Sequence, residues 1–222
     1  MSEDIKIKIS NLTKIFGPKP KSVLQYVNNG MSKDDLLKEH QHVLGLSNIN
    51  LELRNKNIEV IMGLSGSGKS TLIRHINRLI DPTAGSIMIG GDDIIAMSKE
   101  KLRQFRQQKT AMVFQSFALL PHKTVMDNVC YGIFLQGITG DEAYQRAKKW
   151  IDRVGLSGYE DRYPSQLSGG MQQRVGLARA LTCDTEILMM DEAFSALDPL
   201  IRSDMQDLLL ELQKELHKSI IF

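Results

Sequence analysis

Residues 63–71 read Gly-Leu-Ser-Gly-Ser-Gly-Lys-Ser-Thr and complete the pattern G-x-x-x-x-G-K-[ST]. The chemistry that this spacing permits is phosphate binding. Glycines let successive backbone N–H groups point inward at phosphate oxygens, and a helix N-terminus behind them favours negative charge. Lys69 would then reach the β- and γ-phosphates, and the Ser70 hydroxyl would ligate Mg²⁺. The pattern carries this meaning only where a strand turns into a helix. Here it follows the run 58–62 and opens residues 72–79, so that context is met. Gly63, Ser65, Gly66, Ser67, Gly68, Lys69, Ser70 and Thr71 are read as a loop that binds a nucleoside triphosphate. A chance Gly/Ser-rich turn would leave nine matching residues in the right setting unexplained.

A second group carries carboxylates. Residues 187–190, Ile-Leu-Met-Met, form a short apolar run ending in Asp191 and Glu192. That suits a buried parallel strand delivering charge to a crevice. Alternating strand geometry sends neighbouring side chains to opposite sides, so the two acids can take separate tasks. Asp191 fits a water-mediated Mg²⁺ ligand, and Glu192 a general base that polarises water for in-line attack. Another apolar run closes on Phe114-Gln115-Ser116. Leu167-Ser168-Gly169-Gly170-Met171-Gln172-Gln173-Arg174 precedes the helical stretch 175–181, and Ser195-Ala196-Leu197-Asp198 follows the acids.

Together these segments resemble the ATP-binding cassette (ABC) transporter ATPases, whose signature is the Leu-Ser-Gly-Gly element at 167–170. The match runs over almost the whole chain. Residues 114–122, 167–181 and 190–202 look like the cassette of glycine betaine/proline (quaternary-amine) uptake systems. An extra stretch, roughly 18–42, between the first and second strands is a further trait of that branch. The resemblance implies an α/β P-loop NTPase fold: a mostly parallel RecA-like sheet, an antiparallel β part and an inserted helical subdomain. It implies one ABC ATPase domain over 1–222, an N-terminal insertion at 18–42, and a helical subdomain at 121–181 that faces membrane subunits.

It also implies roles. Gln115 joins Ser70 and Asp191 around Mg²⁺ and reaches the attacking water, which places Gln115 and Lys69 beside Glu192 among the catalytic groups. Phe16, just after the first strand, stacks on the adenine ring, although an aromatic there could equally pack in a core. Ser168, Gly169 and Gly170 complete the ATP site of a second ATPase subunit in a head-to-tail dimer. The further partners are membrane permease subunits and, indirectly, an extracytoplasmic substrate-binding protein, with no nucleic acid. The expected place is the cytoplasmic face of the cell membrane, held peripherally. An ATPase for another small solute, or a catalytically weak nucleotide-binding fragment, stays open.

Two departures from the family stand out. Met171 replaces the glutamine of many signatures, while Ser168, Gly169 and Gly170 keep the helix-N-terminus logic. The chain stops at Ser219-Ile220-Ile221-Phe222, which reads as the first half of a central strand. The family's γ-phosphate histidine would lie beyond it. The expectation is of a C-terminally incomplete domain, marginally folded and slow when made alone.

The remaining composition narrows the class. A net charge of +2 argues for neither nucleic acid nor an anionic membrane surface. Cys130 and Cys183 lack C-x-x-C spacing and read as reduced structural thiols. No apolar run approaches the roughly 20 residues that span a bilayer, and residues 1–10 do not read as a signal peptide. His122 and the other histidines show no metal-ligand spacing, and the eleven methionines read as core filler.

The elements that must position these groups follow from patterning. Ile5, Ile7 and Ile9 alternate with lysines as a half-buried strand ending near Phe16. Ser32 reads as the cap of a short helix over 34–38, and Thr139 as part of a capping box opening 143–154, which Gly155 ends. Gly90-Gly91-Asp92 marks a turn after 87–89, and Ser98 caps a helix to about 108. Asp198-Pro199 starts a helix whose Ile201, Met205, Leu208, Leu212 and Leu216 share a stripe.

Overall fold

The computed structural model describes residues 4–194 and 197–222. Its strands, in chain order, are β1 (Ile5–Phe16), β2 (Val43–Arg54), β3 (Ile58–Glu59), β4 (Ala84–Ile89), β5 (Asp92–Asp93), β6 (Thr110–Val113), β7 (Ile187–Met190) and β8 (Ser219–Ile221). The helices are α1 (Leu24–Asn28), α2 (Lys33–His40), α3 (Lys69–Ile76), α4 (Lys99–Gln108), α5 (Val125–Leu135), α6 (Gly140–Arg153), α7 (Gly169–Thr182) and α8 (Pro199–Leu216). Two compact units result: residues up to 55 with 61–102, and residues 56–60 with 103–222.

The first unit is built on an antiparallel sheet of order β2-β1-β4-β5. Ile7, Ile9, Leu12 and Ile15 of β1 are buried. Their spacing changes from two to three where the ladder with β2 is irregular and Asn11 takes φ 50°. One extra residue there returns the apolar side chains to the core face. Gly90 and Gly91, at φ 58° and 92°, make the two-residue turn into β5 that left-handed backbone permits. Between β1 and β2, Val23, Val27 and Leu36 pack with Ile15 into a small core of their own. Ser32 caps α2 by accepting the Asp35 N–H at 3.1 Å. The His42 ring ties this stretch end to end, its nitrogens 2.6 and 2.8 Å from the carbonyl oxygens of His40 and Pro18.

The second unit holds a parallel sheet of order β3-β8-β7-β6. Every residue of β7 is buried, as expected of a parallel strand covered on both faces. β8 pairs on both sides, with β3 and β7. Where it begins, the nearly buried Lys218 ammonium donates to the Asp184 carboxylate and the Thr185 carbonyl, each at 2.7 Å. Helices α5, α6 and α7 share a core that includes Val129, Ile133, Ala147, Ile151, Val175 and Leu181. Among the described residues, no strand lies between β6 and β7. Asp198 caps α8 by accepting the Ile201 N–H at 3.0 Å, with Pro199 in the first turn. Met205, Leu209 and Leu212 are the buried positions of α8, and Ile201, Leu208 and Leu216 pack at the margin of the core.

Some sequence expectations need correction. The strand read over 58–62 covers only Ile58 and Glu59, because its ladder with β8 has two rungs. Val60, Met62 and Leu64 are 55 %, 87 % and 85 % exposed, so Met62 is no core filler. Thr139 precedes α6, but its hydroxyl caps nothing, since the chain enters the helix through Gly140 in left-handed backbone (φ 67°). Cys130 and Cys183 are free thiols, and burial pushes both up to about 11, so neither is a ready thiolate.

Candidate functional site

The phosphate-loop residues lie in the first unit and enter α3 at Lys69. Gly66 (φ 77°) and Gly68 (φ 98°) both occupy left-handed backbone, and Gly68 is the N-cap of α3. A Cβ at Gly68 would stand 2.9 Å from the Gly45 carbonyl oxygen and 3.0 Å from Leu46 Cδ2. Only glycine satisfies both conditions. The first helical bond runs from the Leu72 N–H to the Gly68 oxygen, and the first-turn N–H groups have no partner one turn back in the helix. Those groups are what a phosphate would accept from. Lys69 folds back over its own loop, its ammonium donating to the carbonyls of Gly63 (2.9 Å) and Leu64 (3.0 Å). Gly63, Ser65, Gly66 and Ser67 are exposed, and Ser70 and Thr71 are half-buried.

Phe16 reaches this loop through a stack of backbone. Its ring lies so close over Gly45 that a Cβ there would meet Phe16 Cε2 at 2.6 Å, and Gly68 rests on the carbonyl of the same Gly45. The ring is 40 % exposed, with the Lys14 ammonium 5.0 Å from its centroid. A half-open aromatic face of this kind is able to stack a flat ring.

Behind the loop, His75 of α3 is fully buried and its Nδ1 lies 2.6 Å from the Thr71 carbonyl oxygen. That nitrogen must carry the proton and donate. Burial holds the ring below the ordinary histidine range; the nearby Lys14 adds to this, while the Thr71 bond and Asp81 oppose it. The fold therefore prefers the neutral ring. The corresponding stability is complete above pH about 6.5 and is lost as pH falls towards the lowered value. His75→Gln is expected to narrow the fall in Tm between pH about 7.5 and about 5.5, as read by thermal unfolding. An unchanged fall would show that acid sensitivity arises elsewhere.

The second unit carries the acids. Asp191 is fully buried just past β7, and its N–H donates to the Val113 carbonyl at 3.0 Å. Glu192 is half-buried with φ 48°. The two acids are separated by this left-handed turn rather than by strand pleating, since β7 ends at Met190. Gln115, 77 residues earlier, donates from Nε2 to Glu192 Oε2 at 3.0 Å. Non-glycine left-handed backbone is uncommon. The loop bearing Gln115 has it too, at Phe117 (φ 59°) and Ala118 (φ 49°).

Two residues that the sequence reading passed over hold that loop. Arg179 of α7 donates to the Ala118 carbonyl at 2.7 Å and the Phe117 carbonyl at 3.0 Å. Asn128 of α5, fully buried, accepts the Leu120 N–H at 2.8 Å and donates to the carbonyls of Leu120, Lys123 and Thr124 at 2.9–3.1 Å. An asparagine one turn into a helix and an arginine in a helical repeat carry no local signal of such contacts.

Ser168 is the N-cap of α7, its Oγ accepting the Met171 N–H at 3.3 Å. Ser168 and Gly169 are exposed and Gly170 half-buried, so the start of a 14-residue helix is open to an anion. Met171 does not take part in that cap through its side chain. Ser195 and Ala196 lie outside the described residues. Ser70 belongs to the first unit, and Gln115 and Asp191 to the second. Hydroxyl, amide and carboxylate oxygens are the donor types that Mg²⁺ prefers. No cluster of three His, Cys, Asp or Glu suited to a metal occurs among the described residues. Nor is any described helix long and apolar enough to cross a membrane.

Residues 46–195 match the family model described as ABC transporter. The chain is 56 % identical over 218 residues to the glycine betaine transport ATP-binding protein OpuAA of Bacillus subtilis, covering 98 % of this chain and 52 % of that protein. It is 51 % identical over 218 residues to the glycine betaine/proline betaine transport system ATP-binding protein ProV of Escherichia coli, covering 98 % and 54 %. The chain thus spans about half the length of these curated relatives. The dimeric structure of MJ0796, a bacterial ABC transporter cassette, superposes with a TM-score of 0.82 at 30 % identity, covering 97 % of this chain and 86 % of that one. The chain belongs to the ATP-binding cassette family of transporter ATPases, with the P-loop α/β fold.

Proposed function

We propose that this chain binds and hydrolyses Mg-ATP to drive an importer of glycine betaine/proline-type osmoprotectants. The observation that carries the nucleotide reading is the grouping of Phe16, Gly45, Gly68 and Lys69 in one unit: an aromatic platform joined to a phosphate loop. Ser70, Gln115 and Asp191 would hold Mg²⁺, which when bound would neutralise charge on the phosphates. Lys69 positions the β- and γ-phosphates, and Glu192 takes up the proton of the attacking water while Gln115 orients that carboxylate. Ser168, Gly169 and Gly170 offer their helix end to the ATP of a second copy, in a head-to-tail dimer. Residues 121–181 act as a helical subdomain against membrane permease subunits at the cytoplasmic face, residues 18–42 as an insertion, and 1–222 as one ABC ATPase domain. An extracytoplasmic binding protein delivers the solute. Support for the solute class comes from the glycine betaine relatives.

Uptake of labelled glycine betaine by cells under osmotic stress tests the reading. Deleting the gene is expected to abolish the component that this system carries, and a Glu192→Gln copy is expected not to restore it. Intact uptake after deletion, with loss of another solute's uptake, would reassign the cargo.

A further inference from the structure

We infer that Gln173, in the body of α7, is a positioning residue for the loop that carries Gln115, and that its amide pairs with that loop in the nucleotide-bound arrangement. The inference rests on the roles proposed above for Gln115 and Glu192.

Gln173 is fully buried, and neither its Oε1 nor its Nε2 has a hydrogen-bond partner. A primary amide brings two donors and two acceptor lone pairs, and burying it unpaired is costly. An apolar side chain of the same length would fill the space without that cost. The direction of the amide follows from its helix face. Residues 169, 173, 176 and 180 recur at spacings of four and three and so lie on one side of α7. A Cβ at Gly169 would stand 3.7 Å from Phe117 Cζ. A Cβ at Gly176 would stand 3.7 Å from the Phe117 oxygen and 3.9 Å from Val113 Cγ1. Gln173 sits between them, beneath Phe117.

The loop beside that helix face is held in uncommon backbone. Phe117 and Ala118 are both in left-handed backbone, and Arg179 already holds both of their carbonyls. Two residues back, Gln115 contacts Glu192. A shift of residues 115–118 that supplies the Gln173 amide with partners also moves Gln115 relative to the Glu192 carboxylate. Gln173 lies one turn from Gly169, so the same helix presents its N-terminus at one end and meets this loop along its flank. The inferred coupling requires a second packing of residues 115–118 when nucleotide is bound.

Gln173→Met removes the amide and keeps the length; Gln173→Leu is the second variant, should the first pack poorly. Relief of the unpaired amide is expected to raise Tm by about 2–4 °C, the shift that roughly 1 kcal/mol produces in a domain of this size. Turnover of Mg-ATP is expected to fall about tenfold or more, and KM to change less than kcat, because Gln115 is no longer held where it meets Glu192. In the wild type, Mg-ATP is expected to slow hydrogen exchange of the 115–118 backbone amides, and in the variants to leave it unchanged. A variant with lowered Tm in both substitutions, or with unchanged kcat, overturns the inference. So does a wild type that binds Mg-ATP by calorimetry yet shows no change in exchange at 115–118. A wild type that binds no Mg-ATP overturns the reading on which the inference rests, and the inference with it.

Discussion

Glu192→Gln is expected to lower ATP turnover by about 10²–10⁴-fold, the range that a positioned general base contributes. Binding should change little, because the substitution keeps the side chain's shape and an oxygen able to accept from Gln115 Nε2. Asp191 is fully buried and Glu192 half-buried, so the substitution changes the more exposed of the two acids. If Glu192 faces the γ-phosphate as proposed, removing its charge should also favour an ATP-bound dimer. Single-turnover hydrolysis and light scattering with Mg-ATP are the measurements. Equal hydrolysis by wild type and variant would mean that another group accepts the proton.

Lys69→Ala is expected to weaken Mg-ATP binding by about ten- to a hundredfold, from loss of a charge-assisted contact of about 1.5–3 kcal/mol. In the folded loop the ammonium is held by the carbonyls of Gly63 and Leu64. Those carbonyls sit on exposed residues and can turn to water when the lysine leaves for a phosphate. The fold should survive, since the first bond of α3 comes from the backbone of Gly68 and Leu72. Calorimetric titration measures the loss, and an unchanged affinity would remove Lys69 from the site.

The phosphate loop, the acids after 187–190 and the helix starts at Ser32, Ser168 and Asp198 were all legible in the residues. Each is a local event. A glycine needed at positive φ, a hydroxyl or carboxylate three residues before its N–H donor, and an apolar run ending in charge all act within one turn or one strand. Capping failed as a guide only at Thr139, where a left-handed glycine intervenes. The apolar run at 58–62 failed because a strand exists only as far as its partner ladder extends, and that ladder has two rungs.

Other features were set by tertiary structure alone. Phe16 meets the phosphate loop only through Gly45, and Gln115 meets Glu192 across 77 residues of chain. The grip of Arg179 on Phe117 and Ala118 spans 62 and 61 residues. The full burial of His75, Asn128 and Gln173, polar residues on helices, depends on what the fold laid over each. Periodicity says which face of a helix is apolar; it does not say which distant backbone will cover a polar residue on that face. Those contacts exist only once remote segments are packed, because their partners are brought together by the core and not by the chain.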